Sequence, residues 1–427
     1  MLSKIFLDRY KKKVKKKLKE KGLIHVFFKG LRRLISFEIL IICPIVLVIC
    51  LVIRVIKPIF FIRFGSLHGA KIGPFATLIE LYLCKKEHGL QPKKSFDVFA
   101  PSVSSFLFFQ SSYICNIQFL KMWKRLLRVS SVSKYFYIVM NTFSFGTNHI
   151  IKDTPRDVLG LLDKSSIHLS FTKEEIIQAK KDLLKMGIRE KDKYVLLINR
   201  GERYTKEIFP HMDLTYNNFR NCDINDFLPA ANNLTTQGNF VIRAGHLVSD
   251  LMKTDNPKII EYDHKGFRTE LLDIYLSANC RYIVNSDTGF TDIAEHNFRR
   301  PIVNVNFTQI EFMHSWSPKG LFTFRKYWLS SEKRFMRVKE MLQSGAGSFH
   351  TTEEYKKNGI EIVNNTPEEI KDTVEEMEKR LNKSWQDNDE DIELQRRFWS
   401  HFGSSNLHGV IRARIGAKFL RDNKDLI

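Results

Sequence analysis

Four short polar stretches, each following an apolar run, carry side chains suited to a phosphorylated ligand. They are Asn199-Arg200-Gly201, Arg243-Ala244-Gly245, Tyr262-Asp263-His264 and Asn285-Ser286-Asp287-Thr288-Gly289. In two of them an Arg stands close to a Gly, where a guanidinium can make paired hydrogen bonds to a phosphate. A Ser-Asp-Thr-Gly turn that opens a helix offers backbone N–H groups and a positive dipole end to the same ligand. Each feature alone is equally a surface ion pair or an ordinary βα turn. At one sheet edge together, they read as a site for a diphosphate, with Arg200, Arg243, Asn285, Ser286, Asp287, Thr288 and Gly289 as its binding residues.

What must position them is an α/β framework. Tyr194–Asn199, Phe240–Arg243, Ile259–Tyr262, Tyr282–Val284 and Ile302–Val305 have the short apolar runs of buried parallel strands. Helical patterns separate them, over Asp223 to about Thr236 and Glu270–Ala278. Ligand sites in open α/β sheets lie at the carboxyl ends of the strands, where these turns fall. An earlier βαβ rhythm runs through Ile59–Phe64, Ala76–Lys86 and Phe96–Ala100, and a helix from Thr172 to Met186 bridges the two series. Thr366-Pro367-Glu368-Glu369 opens a further helix with a capping residue, a Pro and a Glu in their preferred places. The expected division is 1–57, 58–190, 191–383 and 384–427: a basic arm with an apolar helix, two Rossmann-like domains, and a helical tail.

The charge is concentrated at one end. The chain has 427 residues and a formal net charge of +21. Residues 1–33 hold thirteen Lys/Arg against Asp8 and Glu20, which is +11. Fifteen uncharged residues, Ile39–Ile53, follow, and Arg54, Lys57 and Arg63 lie beyond them. Basic residues on both flanks keep both on the cytoplasmic side of a bilayer. With Pro44 inside the run, a segment dipping into the inner leaflet is expected rather than a span or a cleaved leader. Lys121, Lys124, Arg125 and Arg128 fall on one helix face, which is either a basic stripe for a phosphate or membrane surface or a solvated face. The six cysteines form no disulfide or zinc pattern. Nucleic-acid binding is prompted by the basic charge alone, and no helix-turn-helix, zinc-finger or RNP signature supports it.

The segment Asp287–Ala294, DTGFTDIA, is similar to the donor-site loop of heptosyltransferases, Asp-Thr-Gly-x-x-His-x-Ala, with Asp292 in the place of the His. From about Phe61 onward the chain resembles a little-characterised family of bacterial putative glycosyltransferases of surface polysaccharide synthesis. The segments that carry this are IRFGSLHGAKIGPFA, FLKMWKRLLRV, YNNFRNCDINDFLPA, NFVIRAG, LLDIYLSANCRYIVNSDTG and RARIGAKFL. It departs at LINRGERY, where Ile198 and Gly201 replace a His and an acid. The resemblance implies a GT-B-like fold, with two Rossmann-like domains facing a cleft. It also implies transfer from a nucleotide-sugar donor to a lipid-linked or surface-glycan acceptor, at the cytoplasmic face of a bacterial inner membrane. The leaving diphosphate would then be stabilised by helix dipole and Arg, without a metal or other cofactor. A base must activate the acceptor hydroxyl, and the candidates are His68, Glu202 and Asp213. Asn217, Asn218, Arg220 and Asn221 either bind sugar hydroxyls or shape a turn. Asp387-Asn388-Asp389 reads as linker and Trp316 as core packing. A scaffold that kept the fold and lost the chemistry is the alternative.

Overall fold

The computed structural model describes residues 37–103, 113–208, 215–248, 250–403 and 407–427. The basic arm and Asp213 therefore lie outside the described residues. The chain forms two compact units. One comprises the chain up to Ala70, Pro92–Cys115 and Lys124–Lys152; the other comprises Lys71–Gln91, Asn116–Trp123 and Asp153–Ile427.

In the first unit, helix α1 (Phe37–Ile56) leads into strand β1 (Phe61–Ser66), which pairs in parallel with β2 (Ser95–Ala100). Single parallel bridges extend this ladder, Ile150 beside Phe64 and Val129 beside Phe99. Arg63 and Asp97, buried neighbours across β1 and β2, hold each other through two hydrogen bonds of 2.8 and 2.6 Å. Such a pair satisfies two charges that the ladder could not otherwise bury. Val46, Cys50 and Ile53 lie on one stripe of α1 and pack with Phe64, Tyr135, Val139 and Met140. The last three belong to a helix over Ser133–Thr142.

The second unit is organised by a seven-stranded sheet. Its members are β3 (Tyr194–Ile198), β4 (Phe240–Arg243), β5 (Ile259–Glu261), β6 (Ile283–Asn285), β7 (Ile302–Phe307), β8 (Gly320–Phe324) and Arg414–Ile415. Every pairing is parallel. The 384–427 stretch, read as a helical tail, thus supplies an edge strand as well as helices. From that edge the order is Arg414–Ile415, β8, β7, β6, β3, β4, β5. The sheet is apolar on both faces, as a parallel sheet covered on both sides must be. The chain builds outward from β3 to β4 and β5, then returns to the other side of β3 with β6. The β3/β6 boundary is therefore a topological switch point, where strand ends leave a crevice.

Local sequence explains the covering helices. Thr172 and Glu175 form a reciprocal capping box at the start of Lys173–Lys185, and Thr366 and Glu369 form another at Pro367–Leu381. Asp223 caps a short 3₁₀ turn that runs into the helix Leu228–Thr236. Asn388, expected in a linker, caps the helix Asp389–Ser400, while Asp387 accepts from Arg380 and faces Arg414. The helix expected from Ala76 starts earlier, at Ile72. Pro74 is no obstacle there, since a first-turn residue has no intrahelical N–H bond to lose.

Candidate functional site

The turns that follow β3 and β6 flank the switch point, and their charged side chains do not behave alike. Asp287 is 8% exposed and has φ of 52°, a left-handed conformation that Asp tolerates better than most side chains. Arg220 clamps it. Arg220 Nε donates to Asp287 Oδ2 at 2.7 Å, and Nη2 donates to Oδ1 at 2.6 Å and to the Asp287 carbonyl at 2.7 Å. Burial would raise the Asp287 pKa, but Arg220, with Arg325 and Arg200 behind it, brings it below the usual carboxylate range. Arg325, fully buried, donates to Asn364, to Thr308 and to the Arg220 and Asn221 carbonyls, so its fork is spent on shaping this corner.

Arg200 is different. Its Nε is buried with no hydrogen-bond partner among the described residues. Burial and the like charge of Arg220 together pull its pKa down to about 10, against a smaller opposing pull from Asp287. Three guanidiniums thus surround one carboxylate. Arg220 uses that carboxylate, and Arg325 is satisfied by neutral groups. Among the described residues Arg200 has two cationic neighbours against the one carboxylate that Arg220 already holds, a balance that an anion would shift.

The remaining expected donor residues mostly build this corner. Arg243 is turned into the sheet edge at 3% exposure, where it donates to Asn199 Oδ1 at 3.1 Å and Glu261 Oε2 at 3.3 Å. Burial lowers its pKa, with Glu261 opposing the shift. It ties the β3, β4 and β5 turns together. Asn285 Oδ1 accepts from Thr288 Oγ1 at 2.7 Å and from its N–H at 3.3 Å. The Ser286 N–H donates to the Ile198 carbonyl at 3.0 Å, and the Asp287 N–H to Asn304 Oδ1 at 3.4 Å. Ser286 Oγ accepts from the Cys222 thiol at 3.1 Å. The Ser286, Asp287 and Thr288 N–H groups, expected to cradle a phosphate, are therefore engaged with β3, with β7 and within the turn.

Gly289 is required by close approach rather than by φ. A methyl placed on it would stand 3.0 Å from Gly73 Cα and 3.2 Å from Gly73 N. Gly289→Ala should force the helix Ile72–Glu87 away from the turn and cost about 1–3 kcal/mol, the usual penalty for overpacking. Chemical denaturation would measure it.

Of the candidate bases, His68 belongs to the first unit, has φ of 53° and donates its backbone N–H to Ser66 Oγ at 3.1 Å. Glu202 belongs to the second, pairs with Lys206, and lies 3.4 Å from Asn221 Nδ2. Trp316 is buried with Leu81, Cys84, Leu161 and Leu162, as its core reading requires. Sequence reasoning missed Arg325, although it too is an Arg just beyond a strand, β8. It left the role of Arg220 open, because a clamp reaching 67 positions along the chain has no local pattern.

No family model matches the chain, and no curated protein matches it. Among solved structures it is similar to the glycosyl transferase family 9 protein from Veillonella parvula DSM 2008. Identity is 11%, the match covers 76% of this chain and 98% of that one, and the TM-score is 0.42. It is also similar to E. coli ADP-heptose lps heptosyltransferase II at 11% identity, covering 62% of this chain and 90% of that one, with a TM-score of 0.35. At these scores the likeness carries no weight of its own.

Proposed function

We propose that the chain is a glycosyltransferase moving a sugar from a nucleotide-sugar donor to a glycan or glycolipid acceptor. The observation that carries this reading is Arg200, its Nε buried without a partner among the described residues, in a cluster of three guanidiniums at the switch point of a parallel sheet. A diphosphate leaving group gains charge in the transition state. Pre-placed guanidiniums stabilise that charge more than they stabilise the bound donor. Arg200 meets the phosphates directly, and Arg220, held by Asp287, supplies fixed charge behind it. A thermal-shift panel of UDP-, GDP-, CMP- and ADP-linked sugars tests this. At least one should stabilise the protein through binding linkage; a panel without any shift would count against the reading. A non-catalytic scaffold is the second reading, favoured by Ile198 and Gly201 on either side of Arg200. It predicts binding without any turnover of the bound donor.

The proposed setting is a membrane surface. The stripe of α1 opposite its packed face is apolar and exposed: Ile45, Val48, Ile49, Leu51, Val52 and Val55. Among the described residues no helix is long and apolar enough to cross a membrane. An apolar helix with one face packed on its own unit and the other exposed suits burial to partial depth in one leaflet, beside a basic arm that attracts anionic lipid. Deleting residues 1–57 would also strip Val46, Cys50 and Ile53 from a core, so surface substitutions are the cleaner test. Flotation with anionic vesicles should be lost in Val48→Asp/Val52→Asp/Val55→Asp. Undiminished flotation would assign membrane binding elsewhere.

A further inference from the structure

Behind the donor turn, four side chains of the second unit converge: Asp292, Glu295, His296 and His314. One potential ligand atom from each lies within 4.8 Å of the other three. Glu295 and His296 are buried, at 6% and 1% exposure. They sit on a wide π-helical turn, Ile293–Asn297.

The hydrogen bonds decide which nitrogen of His296 is available. Thr77 Oγ1 donates to Asp292 Oδ2 at 2.8 Å and lies 2.8 Å from His296 Nδ1. A hydroxyl has one proton. With that proton given to Asp292, Thr77 must accept from Nδ1–H, and in the neutral imidazole His296 Nε2 then carries the lone pair. Nε2 is buried, has no hydrogen-bond partner among the described residues, and faces Glu295 Oε2 at 3.4 Å. The same Glu295 oxygen is 3.1 Å from His314 Nδ1. A bare lone pair opposite a carboxylate oxygen is repulsive unless a cation sits between them.

Metal–ligand bonds of about 2.0–2.1 Å in tetrahedral geometry hold ligand atoms about 3.3 Å apart. The observed separations of 3.1 and 3.4 Å match that spacing. Two neutral imidazoles and two carboxylates carry a charge that a divalent ion cancels. We infer that His296, His314 and Glu295, with Asp292 beside them, form a binding site for a divalent transition-metal ion of the zinc type. Thr77 is the outer partner that fixes the His296 tautomer, as such partners of ligating histidines do. The ion ties the helix after the donor turn to the segment preceding Trp316. The side chains of His314 and Asp292, 25% and 15% exposed, leave it a path from solvent. This inference is independent of what the donor site binds.

The test uses the full chain, stripped with a chelator and titrated with Co²⁺ and then Zn²⁺. One Co²⁺ per chain is expected, with the visible absorption of a low-symmetry N/O site, displaced by Zn²⁺. His314→Gln and Glu295→Gln should abolish it. Thr77→Val should weaken it about 10- to 100-fold, the usual effect of losing an outer-shell partner. Circular dichroism identifies any variant that has not folded, and the wild-type stoichiometry stands without them. Absence of stoichiometric uptake by the wild type would overturn the inference and leave a proton as the shared cation. Equal binding by the folded variants would overturn it too.

Discussion

Asp287→Asn should destabilise the second unit by about 3–5 kcal/mol, the cost of removing one partner from a buried ion pair. The substitution keeps the shape of the side chain and removes its charge. Arg220 then keeps the backbone carbonyl and one amide oxygen as acceptors, faces the new NH2 with one N–H, and has no counter-ion beside Arg200 and Arg325. What was one anion among three cations becomes three cations alone. The effect has a pH signature. The folded-state pKa of Asp287 is depressed, so its contribution is present above the ordinary Asp range and is lost as pH falls through the folded value. Denaturant titrations of wild type and variant should therefore converge in acid and diverge towards neutrality. Curves that stay parallel would remove Asp287 from the account of stability.

Arg200→Ala should do the reverse: leave stability nearly unchanged and weaken nucleotide-sugar binding. Its Nε has no hydrogen bond to lose among the described residues, and the like charge of Arg220 opposes it more than Asp287 favours it. Deleting it relieves repulsion while giving up some packing of the aliphatic stem. A charge-assisted contact from a guanidinium to a phosphate contributes about 1.5–3 kcal/mol. The expected loss of affinity is then roughly 10- to 100-fold. Arg200→Lys should recover part of it, because a point charge remains while the paired geometry does not. A variant that unfolds instead would show that Arg200 holds the turn.

Much of the framework was legible because parallel strands announce themselves. Phe240–Arg243 was readable to its ends, and the Thr366-led capping box falls where its residues predict. The convergence of strand ends followed from the βα rhythm, and the pairing of β6, β3, β4 and β5 has that arrangement. The direction of a strand-end Arg was not legible. Arg200 and Arg243 look alike in sequence, yet Arg243 turns inward to Glu261 and Asn199. The difference is set by a partner on the next strand, 18 positions away. Gly289 looked like a phosphate-turn glycine, and its stricter constraint is Gly73, which belongs to a helix far earlier in the chain. The Asp292 that departs from the heptosyltransferase pattern shares a hydroxyl, Thr77, with His296 one turn later. Such pairings depend on tertiary packing and leave no periodicity to read.

The central claim is that Arg200 is an anion-binding group facing a nucleotide-sugar diphosphate. Isothermal titration calorimetry of the wild type and Arg200→Ala, with UDP-, GDP-, CMP- and ADP-linked sugars, tests it most directly. The account predicts saturable binding of at least one of these donors to the wild type, and a loss of roughly 10- to 100-fold in the variant at unchanged stability. Equal affinity in wild type and variant, or no binding of any donor to the wild type, would contradict it.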